Sequence, residues 1–139
     1  MFRALNRVSK KQYAIKRIEV TQLHPSDVIH LEHEIDAMKL LRNGPHMIRL
    51  YDVFKTPNFT DLVLEFMEGG MLLDRVVEKE QYTEREARRV CRILFKAIDY
   101  MHQKKIAHRD IKPDNLLLVV CFSSKPVSDF FYIVKSIST

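Results

Sequence analysis

His108-Arg109-Asp110-Ile111-Lys112-Pro113-Asp114-Asn115-Leu116-Leu117-Leu118 sets an acid, a lysine and an amide within six residues and then enters an apolar run. Each polar group has its own chemical capacity. The carboxylate of Asp110 can accept the proton of a hydroxyl. Lys112 can neutralise charge on a moving phosphoryl group. The side-chain oxygen of Asn115 can hold a hard cation such as Mg²⁺. An ordinary charged turn before a buried strand requires no such order, and a match of this length has a negligible chance frequency.

The flanking sequence divides into short elements. Tyr13-Ala14-Ile15-Lys16-Arg17-Ile18 alternates apolar and polar residues like a half-buried strand. Alone, Lys16 reads as a solvated edge charge; its meaning comes from its order and distance relative to 108–118. His24-Pro25-Ser26-Asp27 is a helix start, with Ser26 as the expected cap. Val28, Leu31, Ile35, Met38 and Leu41 then form one apolar stripe at spacings of three and four. Asn43-Gly44-Pro45 predicts the stop, with Gly44 in the left-handed position. Short strands are expected in the runs 47–54 and 61–70, separated by a turn at Thr56-Pro57-Asn58, and Gly69-Gly70 permits a tight change of direction. A short helix is expected over 71–81. Thr83 and Glu86 form a capping box for a longer helix reaching about His102, with Ala87, Val90, Leu94, Ala97, Ile98 and Met101 on its apolar face. Arg85, Arg88, Arg89 and Arg92 lie largely off that face. They read as a solvated basic surface, because no RNA- or DNA-binding motif accompanies them.

The 108–118 run resembles the catalytic loop of eukaryotic protein kinases, and Lys two residues after the Asp is the serine/threonine-type variant. Tyr13–Ile18 resembles the kinase strand that ends in a phosphate-binding lysine, here Lys16. Glu34 stands where that family places the glutamate that pairs with the lysine, and Glu32 and Asp36 are the alternatives on the same helix. The 61–70 run resembles the last small-lobe strand and the hinge. The resemblance implies Leu64 as gatekeeper, backbone groups of Glu65 and Met67 facing adenine, and Ala14 and Leu117 completing the nucleotide-binding set. It covers residues 1–118 in the family's order. The style of the hinge, helix and loop is most similar to the calcium/calmodulin-dependent group.

What the resemblance implies is an incomplete α+β protein-kinase-like fold. Residues 1–64 would be the small lobe, 65–70 the hinge, 71–118 the start of the large lobe, and 119–139 a divergent apolar tail. The cofactors implied are ATP and Mg²⁺, and the partner is a protein substrate with a Ser or Thr acceptor. Calmodulin would enter only through regions outside this sequence. Asp114 sits where many kinases that prefer basic substrates meet an arginine, although Met71 stands where a second acid is common.

Departures from the family pattern are equally informative. Counting back from Lys16, the Gly-rich phosphate loop would fall before Met1, and the three glycines, at 44, 69 and 70, cannot replace it. The first strand and that loop are therefore expected to be missing, with Met1 about where the family puts a valine over adenine. Beyond Leu118 the only charges are Lys125, Asp129 and Lys135, against 38 in residues 1–118. Ser128-Asp129-Phe130-Phe131 is a near-match to the metal-binding Asp-Phe-Gly, with Phe in place of Gly, so Asp129 is a weak metal candidate. The tail reads as a splice read-through or an alternative end. No activation segment follows.

Composition narrows the class. Hydrophobic content of 46%, charged content of 29% and a net charge of +5 suit a soluble globular domain and call for neither nucleic acid nor membrane. Two cysteines form no disulfide framework, and a cytoplasmic setting, or a nuclear one, is the expectation. No apolar run is long enough to span a bilayer. Three functional classes follow. The chain is a serine/threonine kinase by descent that is inactive by itself, a non-catalytic kinase-like binding module, or an incomplete gene-model fragment.

Overall fold

The computed structural model describes residues 1–79, 81–118 and 131–133. The chain divides into two compact units, one formed by 1–42 and 48–66, the other by 43–47 and residues from Met67 onward.

The first unit is a helix on a four-stranded antiparallel sheet. Strands β1 (Phe2–Leu5), β2 (Gln12–Glu19), β3 (Leu50–Lys55) and β4 (Phe59–Glu65) lie in the order β1-β2-β4-β3. Ala14 faces Leu64, Lys16 faces Leu62 and Ile18 faces Thr60. Directly opposed residues share a sheet face, and on this face Thr60, Leu62 and Leu64 are buried. Helix α1 (Pro25–Leu41) supplies the other layer, burying Leu31, Ile35, Met38 and Leu41 as the stripe predicts. Glu32 ties the helix to the outer strand through Lys55 Nζ at 2.6 Å. A β-bulge separates the Leu50–Leu64 and Asp52–Val63 pairs, leaving Tyr51 as the extra residue. Tyr51 meets Tyr13 edge to face at 5.1 Å and accepts a hydrogen bond from Lys11 Nζ at 2.9 Å.

Two expectations about α1 need correction. Its cap is His24, not Ser26: the helix begins at Pro25, and the Ser26 N–H donates to His24 Nδ1 at 3.4 Å. Proline's fixed φ suits the first helical position, so it opens the helix instead of preceding it. At the other end Gly44 is not left-handed; that conformation belongs to His46 (φ 60°). Gly44 is required for space, because a Cβ there would lie 2.1 Å from Tyr100 Cε1.

The second unit contains α2 (Leu72–Lys79), α3 (Glu84–Gln103), a 3-10 turn (Pro113–Asn115), β5 (Leu116–Leu118) and β6 (Phe131–Ile133), the last two paired antiparallel. Thr83 and Glu86 form the expected capping box, with the Thr83 N–H donating to Glu86 Oε2 at 2.9 Å. Along α3, Ala97 and Met101 are buried, Val90, Leu94 and Ile98 are half-buried, and Ala87 is exposed. Gly69 N–H donates to Leu118 O at 3.1 Å, and Leu118 N–H to Gly70 O at 2.9 Å.

The end of α3 sets up everything after it. Ile106 N–H reaches Met101 O at 3.0 Å and Lys105 N–H reaches His102 O at 2.9 Å, a Schellman closure. Its left-handed residue is Lys105 (φ 60°), where glycine is usual. A side chain there costs about 1–2 kcal/mol, and glycine returns about 0.4–1 kcal/mol of that through the freer unfolded chain. Lys105→Gly is expected to stabilise the chain by roughly 0.5–1 kcal/mol, measured as the shift of its denaturant midpoint.

Candidate functional site

The sequence-predicted residues fall into two sets. Ala14, Lys16, Glu34, Leu64 and Glu65 lie in the first unit, and Met67, Asp110, Lys112, Asn115 and Leu117 in the second. Asp129 lies outside the described residues, as does Cys121.

In the first unit, strand alternation puts Ala14 and Lys16 on the covered face, opposite Leu64 and Leu62. The lysine therefore points toward α1. Of the three acids weighed for it, Glu32 holds Lys55 and Asp36 holds Lys39 at 3.2 Å. Glu34 is the one that is buried, and its charge acts on Lys16. Burial pushes the Lys16 ammonium below its usual pKa, and Glu34 works against that shift. At the end of β4, the Glu65 N–H donates to Arg49 O at 2.9 Å.

In the second unit, the loop after α3 is organised around Asp110. Asn115 Nδ2 donates to Asp110 O at 2.8 Å and to Asp110 Oδ2 at 2.9 Å. Because both partners are acceptors, the amide must present its NH₂ to them, which turns Asn115 Oδ1 the other way. Lys112 Nζ lies 3.3 Å from Asp110 Oδ2. The Asp110 carboxyl sits below its usual range. The Asn115 donation is the main cause, opposed by desolvation and helped by Lys112 and the charge of His108. Leu117, half-buried, bridges to Met71, which fixes β5 against the segment after Gly70.

One functional residue carried no role in the sequence reading. His108 is buried, and its Nδ1 accepts the Asp110 N–H at 3.2 Å. Arg109 between them is left-handed (φ 70°). That torsion turns the Asp110 amide back onto the imidazole. The available signal was a histidine two residues before the acid inside an otherwise polar loop.

These features answer to one comparison. The sequence profile of the protein kinase domain matches residues 1–130. The chain belongs to the protein kinase family. It is 46% identical over 111 residues to the SNF1-like protein kinase ssp2 of Schizosaccharomyces pombe, covering 79% of this chain and 19% of that protein. It is 41% identical over 115 residues to serine/threonine-protein kinase SIK2 of Gallus gallus, covering 83% and 14%. Myosin light chain kinase A of Dictyostelium discoideum is 40% identical over 113 residues, covering 81% and 38%. Each of the three is named as a kinase, and the second as a serine/threonine-protein kinase. This chain spans well under half the length of each. The family uses ATP and Mg²⁺. Among the described residues no helix is long and apolar enough to cross a membrane.

Two titrations test the geometry. Removing the opposing charge with Glu34→Gln leaves burial unbalanced, so the Lys16 pKa falls further. Amine acylation of Lys16, followed by mass spectrometry across pH, then shows its midpoint at lower pH. Asn115→Ala removes the chief donor to Asp110, so its carboxyl titrates at higher pH in carbon-detected NMR. The bonded carboxylate stabilises the fold above its unfolded-state pKa, and that contribution is lost as pH falls through the depressed value. An unmoved midpoint for Asp110 would exclude Asn115 as the cause.

Proposed function

We propose that this chain carries the phosphate-anchoring and proton-accepting residues of a serine/threonine protein kinase that transfers the ATP γ-phosphate to a protein hydroxyl. The observation that carries the reading is the double donation from Asn115 to Asp110, which holds the carboxylate ionised and the amide oxygen outward. In this reading Asp110 orients the acceptor hydroxyl and takes its proton. Lys112, 3.3 Å from the same carboxylate, offsets negative charge on the transferring phosphoryl group. Lys16 holds the α- and β-phosphates and Glu34 aims it. Ala14 and Leu64 supply apolar walls for adenine and the backbone of Glu65 a polar contact, and within the other unit Leu117 and the backbone of Met67 are the candidates that the family resemblance implies.

The residues present suit a cation that arrives with the nucleotide. Asn115 offers one hard oxygen, and the described residues hold no group of three or more His, Cys, Asp or Glu able to bind a metal. Mg²⁺ keeps few protein ligands when phosphates complete its shell. Bound there, it supplies neutralisation of phosphate charge. Asn115 Oδ1 would hold it, with Asp129 as a further candidate.

A second reading, a kinase-like module that binds without turnover, is favoured by the open apolar surface on α3, where Phe95 is 65% exposed. The two readings separate cleanly. Mg-ATP is expected to raise the melting temperature of the chain, and Lys16→Met is expected to remove that shift. Asp110→Asn should keep it, and whatever phosphate transfer the chain gives to a generic Ser/Thr substrate should fall by about 10²–10⁴-fold. A shift without turnover selects the module; no shift at all overturns both nucleotide-based readings.

A further inference from the structure

Residues 1–18 hold six cationic side chains and no acid; Glu19 is the first carboxylate of the sequence. Lys16 answers to Glu34, and Arg17 is clamped by Asp61 at 2.7 Å. The other four, Arg3, Arg7, Lys10 and Lys11, form no ion pair among the described residues. Three of these surround one serine. Residues 6–11 join β1 to β2 and are all exposed. Asn6 Oδ1 accepts the N–H groups of Val8 and Ser9 at 3.0 and 2.8 Å, and Lys10 takes a left-handed φ of 57° to close the turn. Ser9 therefore stands at the tip of the hairpin, beside a Val8 that is 93% exposed. Arg7 lies two residues before it, and Lys10 and Lys11 follow it directly.

The exposed serine and threonine hydroxyls of the described residues separate by what already holds them. Thr21 donates to Glu19, Ser26 lies between His24 and Asp27, Thr56 donates to Phe59 O, and Thr83 donates to Glu86. Ser9 Oγ only accepts, from the Lys11 N–H at 3.4 Å. Its own proton is uncommitted, and its flanks are basic on both sides. A hydroxyl with a free proton on an exposed turn is open to an enzyme. Clustered cations beside it are the charge pattern by which some kinases choose their substrates.

We propose that Ser9 is a phosphorylation site, modified by a serine/threonine kinase whose substrate cleft is acidic, with ATP as the phosphoryl donor. The Ser9 Oγ–H bond breaks and an Oγ–P bond forms to the γ-phosphorus. ADP leaves with the electron pair of the broken P–O bond, and the hydroxyl proton passes to the modifying kinase's base. The product suits its surroundings. A phosphate here enters a turn that carries only positive charge, where Arg7, Lys10 and Lys11 can pair with its oxygens. Lys11 is then contested, because its Nζ rests on the Tyr51 hydroxyl at 2.9 Å and over the Tyr51 ring at 4.7 Å. Pairing with phosphate draws Lys11 off Tyr51 and loosens the tie between the hairpin and β3. None of these residues has a part in the nucleotide or phosphate-transfer roles assigned to this chain, so the site holds whether or not the chain is active itself.

The test incubates the full chain with Mg-ATP and a purified serine/threonine kinase that prefers basic substrates, and maps phosphate by mass spectrometry. A parallel run without added kinase subtracts any transfer by the chain itself. Phosphate is expected on Ser9. Its rate of incorporation is expected to fall about tenfold or more when Arg7→Glu and Lys10→Glu are combined. Both positions are exposed on the turn, and an unchanged unfolding curve verifies that the variant folds. The NMR signal of the Tyr51 ring is expected to move on phosphorylation. No phosphate on Ser9 under conditions that label a basic control peptide overturns the site. An equal rate in the charge-reversed variant, or an equal rate with a kinase that prefers acidic substrates, overturns it as well. An unmoved Tyr51 ring overturns the transfer of Lys11.

Discussion

A lysine drawn out of water beside a buried glutamate is the constraint on which the first unit depends. Desolvating an ammonium is unfavourable, and the fold accepts it because Glu34 is held within electrostatic reach of the same face. That placement needs α1 in one register. Leu31, Ile35, Met38 and Leu41 set the register, because each is buried in the core of this unit. Packing and electrostatics therefore specify each other here. Shifting the helix by one residue would expose the stripe and also withdraw the carboxylate.

The second unit solves a different problem, that of holding an acid firmly on a loop. The chain leaves α3 through a left-handed Lys105 and takes a second left-handed step at Arg109. Two such torsions within five residues are unfavourable, and strain of this kind persists where surrounding contacts outweigh it. Those contacts are the Schellman bonds behind the loop, the buried His108 beneath it, and the Asn115 amide in front. Asp110 is thus gripped at its N–H, its carbonyl and its carboxylate.

What was legible in the sequence follows from the range of the interactions. The Thr83–Glu86 box and the α1 stripe depend on residues three or four apart, so they can be read directly. The 108–118 run was legible because its polar residues act on one another across a few positions. The sequence around Gly44 points to a torsional role, whereas its real neighbour is Tyr100, on α3. No local pattern reports that contact. Pro25 defeated the choice of cap because both Ser26 and His24 can accept a backbone bond, and only the actual start of the helix decides between them. His108 was visible but silent, since a histidine's part depends on which atom faces it. The partition of Glu32, Glu34 and Asp36 into two surface partners and one buried acid also required the sheet to be in place.

Gly69 and Gly70 are adjacent, yet their tolerance to change differs in kind. At Gly69 a Cβ would stand 2.2 Å from the Leu118 carbonyl oxygen, so every substitution collides with backbone. At Gly70 the space is open and the difficulty is a φ of 69°, which asparagine or aspartate can adopt at modest cost. In a drifting lineage position 70 would admit a small set of replacements. Position 69 would admit none without first parting β5 from the chain that enters this unit. Two identical letters in the sequence therefore mark one negotiable site and one fixed site.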